Sequence, residues 1–225
     1  MADPTEPAAK GSVMNHRLSL IILTRCLILA ACNPHEGGSE STGDSTQTAN
    51  DQITIVAMGD SLTAGLGLDE NDAYPAVLER RLRAEGYNVR VVNAGVSGET
   101  SSGAVSRIDW VLSSLDPDIV ILETGANDGL RGIDPKVLRT NLDQLLAILK
   151  KAQVEVILAG MQMLPNLGPV YTSKFNSVYP RVAEAHDVPL IPFFLEGVAG
   201  ERRYNQSDML HPNADGYRRV VDHIY

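Results

Sequence analysis

From Ile53 onward the chain alternates five times between short apolar, β-branched runs and longer stretches with apolar residues at helical spacing. This alternation limits the fold more than any other feature. The short runs are ITIVAM (53–58), NVRVVN (88–93), DIVILE (118–123), VEVILAGM (154–161) and VPLIP (188–192). Between them lie YPAVLERRLRA (74–84, stopped by Gly86), SSGAVSRIDWVLSSL (101–115), PKVLRTNLDQLLAILKKA (135–152) and SKFNSVYPRVAEAH (173–186), with a last helix from about Asn213. The run 119–122 is apolar at every position, as a strand covered on both faces requires. Strands of that kind joined by helices predict a parallel sheet with right-handed crossovers. The expected fold is a three-layer α/β/α sandwich with a five-stranded parallel sheet.

The first fifty residues do not continue this pattern. Residues 1–13 resemble neither a signal nor a domain and are set aside as an extension. Residues 14–32, MNHRLSLIILTRCLILAAC, place Arg17 before an apolar run too brief to span a bilayer comfortably, which is the form of an export signal. Its end, Leu29-Ala30-Ala31-Cys32, resembles the lipobox of bacterial lipoproteins, in which the cysteine becomes the lipid anchor. Residues 33–50 are polar, rich in Gly, Ser and Thr, and read as a flexible linker. The globular domain is therefore expected over 51–225, exported to the periplasm or tethered to a bacterial membrane through Cys32. Both cysteines, Cys26 and Cys32, precede that domain, so it has no disulfide framework and no cysteine metal site. The net charge of −9, without any basic stretch interleaved with aromatics, argues against nucleic acid as a partner. A monomer is the expected state.

In a parallel α/β sheet the ligand crevice lies outside the carboxyl ends of the strands. The residues with chemical capability fall there: Gly59-Asp60-Ser61, 93–98, Gly125-Ala126-Asn127-Asp128, and 208–211 before the last helix. Ser61 sits where a strand hands over to a loop or helix, beside backbone N–H groups that point outward. A lone serine there would be read as a helix cap. Asp208 and His211, three residues apart, change that reading, because the carboxylate can hold the imidazole tautomer while the other ring nitrogen takes the Ser61 proton. Gly98 can offer an unobstructed backbone N–H and Asn127 its side-chain amide to a developing oxyanion. Ordinary turn roles are open to both residues. No second histidine or cysteine stands at metal-ligand spacing from His211, so no metal is expected.

Taken in order, GDSLTAGLG (59–67), NAGVSGET (93–100), GANDGLRG (125–132) and DMLHPN (208–213) closely resemble the four sequence blocks of the SGNH (GDSL) hydrolase superfamily. Within it, GLRG and VPLIPFFLEGV look like the bacterial thioesterase I/arylesterase/lysophospholipase group. The resemblance runs from about Ile53 to the C-terminus. It implies a flavodoxin-like fold and no cofactor, with Ser61 as nucleophile, His211 as base and Asp208 as its orienter. It further implies an oxyanion hole of the Ser61 N–H, Gly98 and Asn127.

The substrate implied is a small-molecule acyl ester, with aryl esters, lysophospholipids and acyl thioesters all open. Leu130 and Ile133, together with Leu164 and Leu167 in the loop 163–173, are the candidates to line an acyl groove. Ordinary loop packing is the alternative for all four. A carbohydrate acetylesterase on the same scaffold is the second enzymatic reading, distinguished by preference for acetyl over longer chains. A non-catalytic binding module is the third, and the presence of all four blocks argues against it.

Overall fold

The computed structural model describes residues 52–163 and 165–225. The export signal, Cys32, the linker and Leu164 all lie outside the described residues. Five strands, β1 (Ile53–Gly59), β2 (Val89–Gly95), β3 (Ile119–Glu123), β4 (Glu155–Ala159) and β5 (Leu190–Ile191), form one sheet in the order β2-β1-β3-β4-β5. Every neighbouring pair is parallel, with Gly59 opposite Gly95, Met58 opposite Leu122 and Glu123 opposite Ala159. The expected five-stranded parallel sheet is the one observed.

The main helices are α2 (Tyr74–Ala84), α3 (Ser101–Leu115), α5 (Pro135–Lys151), α6 (Pro169–Asn176), α7 (Val178–His186) and α8 (Ala214–Ile224). Two short ones, α1 (Ser61–Ala64) and α4 (Ala126–Leu130), follow β1 and β3 directly. Strand order moves outward from β1 to β2 and then back across β1 to β3, so right-handed crossovers put α2 on one face and α3, α5 and α7 on the other. α2 accordingly packs on α8, whereas α3 packs on α5 and α5 on α7. Both faces of the sheet are thus covered, which is why β1 and β3 carry runs of apolar residues without alternation. Helix α5 is typical: Asp134 caps it by accepting from the Lys136 N–H, Pro135 starts it, and Leu138, Leu142, Leu145 and Leu149 are fully buried along one stripe. Each such leucine contributes about 2 kcal/mol of apolar burial.

The structure corrects the sequence reading in two places, and proline explains both. The expected helix at 173–186 is two helices divided at Ser177, and the first begins at Pro169, within the expected 163–173 loop. Pro180 has no N–H to give the Asn176 carbonyl, and its ring crowds that carbonyl, so one continuous helix is not available. A 3-10 turn, Pro165–Leu167, occupies more of the same expected loop. The fifth strand is only two residues long, because Pro189 and Pro192 flank Leu190–Ile191 and neither has an N–H for the ladder.

The order β2-β1-β3 makes β1 the point at which the chain reverses direction across the sheet. Loops leaving β1 and β3 diverge there and open a crevice. Ser61 follows β1 and Asn127 follows β3.

Candidate active site

The turn after β1 is built by close packing. Gly59 has no room for a side chain: a Cβ there would lie 2.1 Å from the Thr63 hydroxyl oxygen and 2.5 Å from the Glu123 carbonyl oxygen. With that close approach secured, Asp60 caps α1 by accepting from the Leu62 N–H at 2.9 Å, and Ser61 becomes the first helical residue. Ser61 is 7% exposed and lines a cavity of about 590 Å³.

The loop 205–213 brings His211 to the serine. A bridge between Asn205 and Pro212 closes it, the Gln206 N–H donates to the His211 carbonyl at 2.8 Å, and the Gln206 amide donates to the Leu66 carbonyl at 2.8 Å beside α1. Met209, in the left-handed region at φ 59, reverses the chain between Asp208 and His211. One oxygen of Asp208 accepts from the Leu210 and His211 N–H groups at 2.9 and 3.0 Å, and the other accepts from His211 Nδ1 at 2.7 Å. His211 Nε2 lies 2.9 Å from the Ser61 hydroxyl. An ionised Asp208 can only accept, so the ring proton sits on Nδ1 and Nε2 is the acceptor for the Ser61 O–H. The imidazole hydrogen bond, followed by the two backbone N–H groups, holds the Asp208 carboxyl down at about 2.

Gly98 and Asn127 also line the cavity, with Ser61 and His211. Gly98 sits at φ 80, a conformation open to glycine without steric cost. Among the described residues neither the Ser61 N–H nor the Gly98 N–H finds a protein acceptor. The Asn127 amide gives one hydrogen to Asp60 at 3.1 Å and keeps the other. Three N–H donors unspent within the protein, on a cavity that also receives a serine hydroxyl bonded to an oriented imidazole, are the equipment for acyl transfer through a tetrahedral oxyanion. No cluster of three or more His, Cys, Asp or Glu suited to a metal occurs among the described residues.

Of the four leucine and isoleucine candidates for a groove, Leu130 lines the cavity. Ile133 and Leu167 are not among its lining residues: Tyr171 covers the Ile133 carbonyl, and Leu167 belongs to the 3-10 turn before α6. The apolar wall comes instead from Leu62 and Leu66 of the α1 segment, Met161 and Met163 after β4, Phe193 and Leu195 after β5, and Met209 and Leu210 of the 205–213 loop. Those residues converge from four separated segments, and no local pattern marks them as neighbours. Two polar residues were given no role of their own in the sequence reading. Asp60 is 1% exposed, and burial above all raises its carboxyl to about 6. Glu123, fully buried at the end of β3, accepts from the Thr63 hydroxyl at 2.8 Å and the Asp60 N–H at 3.3 Å, and burial raises its carboxyl well above the usual range. The available signal was an acidic residue closing the apolar run 119–122, IVIL.

Residues 57–219 match the model of the GDSL-like lipase/acylhydrolase family. The esterase TesA of Pseudomonas aeruginosa is 41% identical over 180 residues, 80% of this chain and 89% of that protein. The thioesterase 1/protease 1/lysophospholipase L1 of Escherichia coli is 37% identical over 169 residues, 75% of this chain and 80% of that protein. Among solved structures, TesA superposes with a TM-score of 0.73 at 41% identity, covering 76% of this chain and 95% of that one. The SGNH-hydrolase family esterase AlinE4 does so with a TM-score of 0.69 at 44% identity, covering 76% and 92%.

Proposed function

The chain belongs to the GDSL-like lipase/acylhydrolase family and is a carboxylic ester hydrolase, and from that premise we infer that Ser61, His211 and Asp208 carry its chemistry. The observation that bears most weight is the unbroken series Asp208, His211, Ser61, with links of 2.7 and 2.9 Å, opening on an apolar cavity.

Each step follows from the atoms in place. Ser61 Oγ attacks the acyl carbonyl while its proton passes to His211 Nε2, and the charge that develops on the carbonyl oxygen is met by the Ser61 and Gly98 N–H groups and the Asn127 amide. Collapse of that intermediate expels the alcohol or thiol, which takes its proton from His211 and leaves an acyl-Ser61 ester. Water then attacks the ester with His211 again as base, and the acid departs. Asp208 stays ionised throughout and stabilises the imidazolium.

The acyl chain is assigned to the wall formed by Leu66, Leu130, Met161, Phe193 and Leu210, which has few polar groups to meet a sugar. That composition supports aryl, lysophospholipid and thioester substrates over carbohydrate acetates. Initial rates on p-nitrophenyl esters from acetyl to palmitoyl, with Ser61→Ala alongside, test the reading. A medium- or long-chain optimum that disappears in the variant is expected. Acetyl-only activity would transfer the chain to the acetylesterases, and an active Ser61→Ala protein would remove the nucleophile assignment.

The sequence Leu29-Ala30-Ala31-Cys32 supports export with a lipid tether on Cys32 for an otherwise monomeric enzyme. The mass of the mature chain from membranes, with and without Cys32→Ser, checks this: an acyl-modified N-terminus at Cys32 is expected, and an unmodified chain cleaved elsewhere would refute it.

A further inference from the structure

Glu123 takes no part in the acyl transfer just derived, yet it is the least ordinary residue of the core. It closes a strand of isoleucine, valine and leucine and is 0% exposed. Carboxyls are almost never buried so completely without a cationic partner. The titratable groups that face it are Asp60 from the turn, Tyr74 from α2, Tyr179 from α7 and Tyr217 from α8. The Arg107 guanidinium of α3 reaches the nearby Gly59 carbonyl but is paired with Glu99 at 2.7 Å.

The two donors that Glu123 does engage bracket the serine in sequence: the Asp60 N–H on one side and the Thr63 hydroxyl on the other, both on Oε2. Oε1 has no partner. An ionised Glu123 would place a bare negative oxygen in the core beside a second carboxyl, whereas a protonated one leaves only a hydroxyl unpaired. Asp60 is the better host for the pair's one charge, because it accepts from both the Leu62 N–H and the Asn127 amide. Once Asp60 is ionised, its charge adds to burial in holding the Glu123 proton.

We propose that Glu123 is a positioning residue that works as a neutral carboxylic acid, its Oε2 gripping Asp60 and Thr63 so that the Ser61 hydroxyl and N–H are held at the oxyanion site. The proposal rests on Ser61 being the nucleophile. It places one buried group beneath two of the three oxyanion donors: Ser61 through the turn, and Asn127 through Asp60. An apolar residue of similar size would strand two buried donors and free the turn.

The test compares Glu123→Gln, which stays neutral and keeps a carbonyl acceptor, with Glu123→Leu, which keeps neither polar atom. With p-nitrophenyl butyrate, Glu123→Leu is expected to lose kcat on the order of 100-fold, with KM changed far less, as for misplaced reacting groups. Glu123→Gln is expected to rescue most of that loss with a pH profile parallel to the wild type. Equal losses in both variants, or wild-type kcat in Glu123→Leu, would overturn the proposal. Should Glu123→Leu fail to fold, the wild-type minus Glu123→Gln infrared difference spectrum at pH 8 decides. The C=O stretch of a protonated carboxyl is expected, and carboxylate bands in its place would overturn the neutral role. Ser61→Ala measured in the same series separates the outcomes, since a failure of the serine mechanism appears there and not at Glu123.

Discussion

Two aspartates flank the same serine and are perturbed in opposite directions. Asp208 lies on a surface loop with its side chain 44% exposed and is held at about 2 by hydrogen bonds from His211 and two backbone N–H groups. Asp60 lies beneath the turn, 1% exposed, and is raised to about 6 chiefly by burial, although it too accepts hydrogen bonds. Exposure leaves little of the desolvation that would otherwise oppose donors to a carboxylate, so the same residue type serves on one side as a fixed charge and on the other as a titrating one. The side of the proposed base is thus organised by local hydrogen bonding in contact with solvent, and the side of the proposed oxyanion hole by packing.

The largest expected effect lies on the base side. His211→Ala should reduce kcat by about 10⁶, as loss of a triad base does; a loss under about 100-fold in burst-free steady-state assays would mean that another group accepts the serine proton. Asp208→Asn should follow with a loss of about 10⁴, because an amide at this position favours the wrong imidazole tautomer. Its thermal midpoint at pH 7 should hardly move, since an exposed pair is worth less than about 1 kcal/mol. A large drop in that midpoint would break the contrast by showing the exposed side to be structural as well.

On the packed side, Asn127→Ala should cost about 10²–10³ in kcat, the loss for one oxyanion donor, with circular dichroism unchanged. Wild-type turnover would take Asn127 out of the site. The smallest effect concerns stability against pH. Asp60 has a folded value raised above its unfolded 3.8, so its favourable contribution is fully present below about 4 and is lost as pH rises through about 6. That slope should become shallower, without disappearing, in denaturant titrations of Asp60→Asn at pH 4 to 7, because the buried neutral Glu123 keeps a slope of the same sign. Asp208 has the opposite sign, contributing stability above 3.8 that is lost as pH falls through about 2. Identical slopes for wild type and Asp60→Asn would refute the buried, titrating role.

The same division separates what could be read in the sequence from what could not. The candidates Ser61, Asp208 and His211 could be picked out because each sits within a short sequence block, Ser61 at the end of β1 and Asp208 with His211 just before the last helix. The sheet was legible because strands buried on both faces have no room for polar alternation. The early start of α6 at Pro169, its separation from α7 and the shortness of β5 were missed through a local competition, Pro180 dividing a region whose apolar period looked continuous, and Pro189 with Pro192 trimming a strand. The cavity wall was missed for a different reason: Leu66, Met161, Phe193 and Leu210 meet only after the whole sheet is assembled. Glu123 carried a signal, an acid ending an apolar strand, but its meaning depended on the three tyrosines and the turn that close around it.

Ser61 and His211 touch across 150 residues of chain. No stretch of chain that stops short of the 205–213 loop holds both side chains, so under the proposed roles a polypeptide severed anywhere before that loop would carry a serine with no imidazole to take its proton.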